Sequence, residues 1–466
     1  MTLSLEEILR ATGGALLQGD PNVHFKGIST DSRTVGEGEL FFALKGVHFD
    51  GHRFAQEALE KKAAGVVIEE ERKGDVRWNG YRSKVVILVK DTLRALGDLA
   101  RERRRRFGTP LVALTGSNGK TTTKEMIAAC LETLFPVLKT KGNFNNLIGL
   151  PLTLLRLSER ERVVVVEMGM NTPGEIRRLT EIAEPDVGLI TNIERVHLEG
   201  LGSIERVKEE KGALFRLMKQ DGAVLVNQDD PRVVDLAKDF SGQKITYGIL
   251  NPADVRGGEI RLERAGRTSF LLSFGGEQTR IDLPLLGRHF VYNALAAVAT
   301  ATLFGVEIKV VKEALEGFQP FPMRMEICPL SDGKVVLNDA YNANPKSMEL
   351  ALATLAEVKG EGRGIAVLGD MFELGAYSEE AHRELGRTVA SLSIDGLVAI
   401  GKEARRVVDS AIRHGLEPDR VWVAESHGEA VSILQEILRK GDWVLVKGSR
   451  GMEMEKIVIG LKEAEV

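Results

Sequence analysis

The stretch from Thr115 to Thr123 reads TGSNGKTTT and lies between an apolar run, PLVAL (110–114), and a helix-like segment over 124–134. Strand, glycine turn, lysine, hydroxyl and helix in that order are the parts of a loop that grips nucleotide phosphates. Gly116 and Gly119 let the backbone curl with its N–H groups turned inward. A helix starting near Lys120 adds its positive N-terminal end. Lys120 can neutralise phosphate charge, and Thr121 can offer its hydroxyl to Mg²⁺. The expected nucleotide contacts are therefore Thr115, Gly116, Ser117, Asn118, Gly119, Lys120, Thr121 and Thr122. Leu114 occupies the place of the first glycine in the longer G-x-x-x-x-G-K-[ST] pattern, so this is the short form, T-G-x-x-G-K-T.

Other residues could complete such a site. Glu167 closes the strand-like run RVVVVEMG (162–169), where a carboxylate beside a phosphate loop can hold Mg²⁺ or can simply cap an element. His197 follows the run DVGLITNI (186–193) and is either functional or structural on this reading. Lys211 falls on the apolar stripe of Ile204, Val207, Leu214 and Met218. Periodicity alone leaves it exposed at a helix end, snorkelling past the stripe, or functional. DAYNANPKS (339–347) gathers Asp339, Tyr341, Asn342 and Asn344 at the carboxyl end of a strand, with Pro345 at the start of a helix. That cluster suits a ligand or an Asn-rich capping turn. KGNFNN (141–146), GDMFELG (369–375) and KGSRGMEME (447–455) are further polar loops.

The elements that must position these residues alternate between strand and helix. A chain of 466 residues suggests about three domains. The first block mixes short strands and helices: a helix over MTLSLEEILRATGG, strands at 65–70 and 84–89, and a helix from Thr92 to Phe107. The second carries β-branched strands at 110–115, 162–169, 186–193 and 222–227, as a parallel sheet buried on both faces would. The third alternates again from 335 to 449 and reads as Rossmann-like, without G-x-G-x-x-G. The expected fold is α/β with three domains: a small N-terminal domain (1–106), a central phosphate-loop domain on a parallel sheet (107–318) and a C-terminal Rossmann-like domain (319–466).

A net charge of −4 excludes a global electrostatic footprint for nucleic acid. The one basic cluster, RERRRR (101–106), reads as a solvated helix end leading into a linker. Two cysteines imply neither a disulfide framework nor a metal site. The absence of a signal-like N-terminus and of any long apolar span points to a cytoplasmic protein without a membrane anchor, most simply a monomer.

Taken together these motifs resemble the Mur ligase family, the ATP-dependent amino-acid and peptide ligases of peptidoglycan assembly. The resemblance rests on the short phosphate loop, Glu167, His197, Lys211 and GRHFVYNALAA (287–297), and on STDSRTVGEGELFFALKG, GNFNNLIGLPLTLL, EMGMNTPGEI, DAYNANPKSM, LGDMFELG and VKGSRGMEME along nearly the whole chain. It implies a ligase that joins D-alanyl-D-alanine to UDP-N-acetylmuramoyl-tripeptide through an acyl phosphate, with ATP and Mg²⁺. By the same resemblance Ser32, Arg33, Lys45 and His52 hold the UDP end, Asn145, Asn146, Tyr341, Asn342 and Asn344 contact substrate, and Asn293 faces adenine. Arg324 and Asp339 are implied to reach the γ-phosphate and ribose. Lys120, Glu167, His197 and Lys211 are implied to be catalytic, and Thr121, Glu167, His197 and Lys211, the last as a carbamate, to hold the metal. Phe290 stands where the family has Asn, and Arg324 lacks the glycine that often precedes it. Folylpolyglutamate synthases, which share the central domain, and a phosphate-loop switch or motor are the competing readings.

Overall fold

Serine, aspartate and glycine punctuate the first block as helix physics requires. Ser4 and Glu7 form a reciprocal capping box at the start of the helix Leu5–Thr12, which Gly13 ends in the left-handed region. Asp91 caps the helix Thr92–Phe107, and Gly108 ends it in the same way. The computed structural model describes residues 2–46, 49–74 and 78–464. The first block forms a five-stranded sheet in the order Ala15–Gln18, Val85–Val89, Gly65–Glu69, Glu39–Phe42, Gly27–Ser29. All neighbours are parallel except the first pair.

The RERRRR cluster is not a solvated helix end. Arg103 donates twice to the Leu157 carbonyl, at 2.9 and 2.6 Å. Arg104 donates to the Ala183 carbonyl and to Asp186, while Arg101 and Arg105 pair with Glu184. Arg106 pairs with Glu7. Arg101, Arg103, Arg104 and Arg105 clamp the helix Thr92–Phe107 onto elements that follow it, and Arg106 ties it to the earlier helix Leu5–Thr12, because each finds a carbonyl or carboxylate near a neighbouring helix end.

The central sheet has nine strands in the order Glu277–Leu283, Arg267–Phe274, Val255–Glu263, Gln243–Gly248, Ala223–Asn227, Val187–Ile190, Leu111–Thr115, Val163–Glu167, Val137–Lys139. It is parallel from Val137–Lys139 through Val255–Glu263. The purely parallel sheet expected for this block is corrected at the other edge, where Val255–Glu263, Arg267–Phe274 and Glu277–Leu283 form an antiparallel meander. Its alternating burial puts one face on the core and leaves the other in contact with water, which an antiparallel edge tolerates. The buried phosphate-loop strand sits mid-sheet, flanked by Val163–Glu167 and Val187–Ile190.

The third sheet runs Glu326–Pro329, Val335–Asn338, Trp443–Lys447, Gly364–Leu368, Gly396–Ile400, Val421–Ala424, with only the first pair antiparallel. The last strand in the chain inserts between the second and third of this block. The loops that leave Asn338, Lys447 and Leu368 therefore emerge side by side from the carboxyl edge, the position where open α/β sheets bind ligands. Among the described residues no helix is long and apolar enough to cross a membrane.

Candidate functional site

A cavity of about 860 Å³ opens between the phosphate loop and the carboxyl edge of the third sheet. Its lining includes Lys120, Thr121, Glu167, His197, Lys211, Asn293, Arg324, Asp339 and Tyr341. Residues spread over more than two hundred sequence positions thus share one space.

The loop geometry explains its glycines. Gly116 has φ 150°, and a Cβ there would lie 1.8 Å from Thr191 Oγ1; Gly119 has φ 78°, and a Cβ would lie 2.6 Å from Asn293 Oδ1. Two of the loop's N–H groups have partners within the protein. Ser117 N–H donates to the Asn192 carbonyl and Asn118 N–H to Asn192 Oδ1, both at 2.9 Å. Thr115 turns away from the cavity, its hydroxyl donating to the Met168 carbonyl at 2.8 Å. The donors left for an anion are those of the first turn of the helix Lys120–Glu132, which have no partner within a helix.

Two lysines meet at one oxygen. Lys120 Nζ donates to the Gly116 carbonyl at 2.9 Å, and Lys211 Nζ donates to the same carbonyl at 3.0 Å. Burial lowers the pKa of Lys120 from its ordinary value. Burial, reinforced by the Lys120 charge, drives that of Lys211 well below its usual range. Lys211 is 1 % exposed, which removes the exposed and snorkelling readings of the stripe.

Glu167 stands at the end of its strand. Asn145 Nδ2 donates to Glu167 Oε1 at 2.7 Å, and Glu167 Oε2 is buried with no hydrogen-bond partner among the described residues. An orphaned carboxylate oxygen facing a cavity is a ready ligand for a hard cation. Among the described residues no group of three His, Cys, Asp or Glu side chains could hold a metal alone. The donor set fits Mg²⁺, which binds through one or two carboxylates and substrate phosphates and keeps waters of its own. Glu167 and the Thr121 hydroxyl are the donors present for it.

His197 lies in the left-handed region at φ 53°, and its Nδ1 is 2.6 Å from Glu373 Oε2, a residue of the GDMFELG loop. The DAYNANP loop meets the phosphate loop through a reciprocal amide pair. Asn344 Nδ2 donates to Asn118 Oδ1 at 2.6 Å, and Asn118 Nδ2 donates back to Asn344 Oδ1 at 3.3 Å. Arg324 stacks on the Tyr341 ring at 4.2 Å and points Nη2 to Thr121 Oγ1 at 3.5 Å. Asp339 is neutralised in place, with Oδ2 accepting from Lys447 Nζ at 2.6 Å and Oδ1 from the Met325 N–H at 3.1 Å.

Several expected substrate contacts also have local duties. Asn146 Oδ1 accepts from the N–H groups of Ile148 and Gly149, and Asn344 caps the helix Pro345–Val358. Asn342 Oδ1 accepts from the Ala343 and Arg450 N–H groups. Asn145, Asn146, Tyr341, Asn342 and Asn344 all border the cavity. Ser32, Arg33, Lys45 and His52 are absent from its lining. Arg33 is exposed and forks onto Asp31, holding that carboxyl at about 2. His52 is buried with both ring nitrogens occupied, Nδ1 by Asp50 at 2.7 Å and Nε2 by the Glu69 N–H at 3.1 Å. It supports the sheet and has no ring nitrogen free for a ligand.

Sequence reasoning named the segments that hold Lys447, Glu373, Ser449, Asn192 and His289 without assigning these residues a role. Lys447 is 3 % exposed at the end of a buried strand, a placement that a lysine in an apolar run (WVLVK) signals by itself. Asn192 and Glu373 leave no such local mark, because their roles lie in partners far along the chain.

Comparison with known proteins gives consistent matches. The Mur ligase family, catalytic domain, matches residues 24–104; the Mur ligase middle domain matches 114–301; and the Mur ligase, glutamate ligase domain, matches 323–450. The UDP-N-acetylmuramoyl-tripeptide–D-alanyl-D-alanine ligase of Bacillus subtilis (strain 168) is 39 % identical, over 94 % of this chain and 93 % of the relative. A crystal structure of MurF from Acinetobacter baumannii superposes with TM-score 0.91 at 32 % identity, over 99 % of both chains. MurF ligase from Thermotoga maritima in complex with ADP superposes with TM-score 0.83 at 28 % identity, over 94 % of this chain and 97 % of that one.

Proposed function

The chain belongs to the Mur ligase family, and from that premise we propose that it joins D-alanyl-D-alanine to UDP-N-acetylmuramoyl-tripeptide with ATP as co-substrate. The observation that carries this reading is the docking of the DAYNANP loop onto the phosphate loop through Asn344 and Asn118. Both loops border one cavity, which supports a site shared by nucleotide and peptide substrate. We assign residues 1–106 to the UDP end of the substrate, 107–318 to ATP and 319–466 to the incoming dipeptide.

The reaction needs a carboxylate and a triphosphate brought together, so several negative charges must be neutralised at once. A carboxylate oxygen of the tripeptide attacks the γ-phosphorus, the bond to ADP breaks, and an acyl phosphate forms. The amine of D-alanyl-D-alanine, having lost a proton, attacks the acyl carbon, and the tetrahedral intermediate collapses to the amide and inorganic phosphate. Lys120 and the first-turn N–H groups hold the phosphates. Arg324, fixed on Tyr341, reaches toward the γ-phosphate, and Asn293 faces the adenine side. Asp339 serves the ribose. Walls drawn from two domains keep water from the acyl phosphate. Glu167 and Thr121 would hold Mg²⁺, with His197 and a modified Lys211; the ion would supply charge neutralisation at the phosphates.

Lys211 suits that modification. An ammonium beside Lys120 repels a cation, yet burial favours its neutral amine. The amine adds to CO₂ and releases a proton, giving an anionic carbamate whose oxygens suit a hard ion. Lys211→Ala should lose ligation and regain part of it with a small added carboxylate; full activity without one refutes the carbamate.

The test of the whole reading is incubation with ATP, D-alanyl-D-alanine and UDP-muramoyl-tripeptides ending in lysine or diaminopimelate. The expected products are the UDP-pentapeptide, ADP and phosphate, with ATP turnover that requires both other substrates. Addition of a single amino acid to the dipeptide precursor, or ATP hydrolysis without the peptide and amine, overturns it.

A further inference from the structure

His197 is on the central domain, yet its ring is held by the C-terminal domain. Its Nδ1 lies 2.6 Å from Glu373 Oε2, a contact across 176 positions of sequence. Backbone contacts brace both loops around it. Glu199 N–H donates to the Glu373 carbonyl at 3.1 Å, and Leu201 N–H donates to the His197 carbonyl at 3.0 Å. His197 and Glu373 both adopt positive φ, 53° and 63°, a conformation that non-glycine residues keep only when their surroundings hold it. Alongside, the Arg195 guanidinium lies 4.9 Å over the Tyr377 ring and donates to its hydroxyl at 3.1 Å. The Glu373 side chain is 55 % exposed, so a stabilising role in the core does not account for it.

We propose that Glu373 is a positioning residue: by accepting a hydrogen bond from His197 Nδ1 it fixes the ring so that Nε2 offers its lone pair to the cavity, and the central-domain metal site is complete only when the C-terminal domain is docked. An ionised carboxylate can only accept, so the proton must sit on Nδ1. A carboxylate behind a ligating imidazole sets tautomer and orientation, and loss of such a partner lowers metal affinity by about 10–100-fold. Here the partner comes from another domain. The inference rests on the proposed role of His197 as a metal ligand.

The test uses Mn²⁺ as the probe, with free Mn²⁺ read by electron paramagnetic resonance in the presence of ADP and the full-length protein. Glu373→Ala should weaken Mn²⁺ about ten-fold or more. Glu373→Gln, which keeps an accepting oxygen but loses the charge, should fall between it and wild type. Adding Glu373→Ala to His197→Ala should weaken binding no further than His197→Ala alone. Tyr377→Phe, which loosens the same loops without touching His197, should stay within two-fold of wild type. In ligation assays Glu373→Ala should raise the Mg²⁺ concentration needed for half-maximal rate by a similar factor. Circular dichroism and Tm show whether each variant is folded, and Glu373→Gln serves if the alanine variant is not. Mn²⁺ affinity of folded Glu373→Ala within two-fold of wild type, with His197→Ala weakened, overturns the positioning role alone. Additive weakening in the double variant, or equal weakening by Tyr377→Phe, overturns it as well. Wild-type affinity in His197→Ala instead removes the ligand role of His197 on which the inference stands.

Discussion

The two walls of the cavity handle charge in opposite ways. On the phosphate-loop wall Lys211 is buried and Lys120 half-buried, and among the described residues neither pairs with a carboxylate; both donate to the Gly116 carbonyl. On the facing wall Lys447 is about as deeply buried as Lys211 but already paired with Asp339 at 2.6 Å. Uncompensated buried charge is costly, and the first wall shows the cost as lowered lysine pKa values. A surface left electropositive and dry is one whose missing partner is an anionic ligand. The second wall, neutralised internally, holds a loop in shape whether or not a ligand is present. A lysine drawn out of water therefore means binding on one side and architecture on the other, and the partner decides which.

Substitutions on the two walls separate these roles. Lys120→Ala has the largest expected effect: ligation falls by about two to three orders of magnitude, corresponding to roughly 3–4 kcal/mol of transition-state stabilisation. Its Tm should hold or rise, because a poorly solvated charge is removed. A folded variant within a few-fold of wild-type turnover would erase the distinction between the walls. Lys447→Ala should do the reverse, lowering the stability of the C-terminal domain by about 1–3 kcal/mol as the partly buried Asp339 loses its charged hydrogen-bond partner. Thermal melting and hydrogen exchange around Asp339 would read this, and the Lys447→Met/Asp339→Asn double variant should recover part of the loss. An unchanged Tm for Lys447→Ala would show that the pair is not structural.

Smaller effects sharpen the boundary between the walls. Asn344→Ala removes a helix cap and both amide contacts to Asn118, and should cost about 1 kcal/mol with a wider average separation of the two domains in X-ray scattering. Full retention of both Tm and compactness would make the amide pair incidental. His289 borders the cavity with a buried Nδ1 that has no partner among the described residues, and burial lowers its pKa to about 4. Unfolded chains protonate this ring near its ordinary value of 6.5, whereas the folded molecule does not until about 4. The contribution is therefore fully present above 6.5 and is lost as pH falls through the window from 6.5 to 4. His289→Gln should flatten the decline of Tm over that window; an unchanged slope would assign the acid sensitivity to other groups.

Much of this protein was legible in short stretches. The helix Thr92–Phe107 follows from Asp91 and Gly108, and the phosphate loop follows from glycine, lysine and threonine within nine residues, because capping and turn geometry are local. The antiparallel meander over 255–283 is hard to read from sequence because its first and last strands, VRGGEIRLE and EQTRIDL, carry more charged than apolar residues and lack the continuous apolar run of the buried parallel strands. The basic cluster was misjudged for a related reason: composition shows that arginines are charged, not that Leu157 and Ala183 offer carbonyls to them.

The amino-acid sequence by itself determined the phosphate loop, the strand-and-helix alternation, the polar loops at strand ends and the family to which they belong. Only the tertiary structure decided which of those groups face one another. Strand order places Trp443–Lys447 between Val335–Asn338 and Gly364–Leu368 and so gathers three distant loops on one edge. Domain docking sets Glu373 on His197 and Asn344 on Asn118. Burial made Lys211 a depressed-pKa amine rather than a surface cation. Local propensity acts within a few residues, whereas desolvation and pairing depend on what the rest of the chain brings alongside, and the chemistry of this cavity is set by the second.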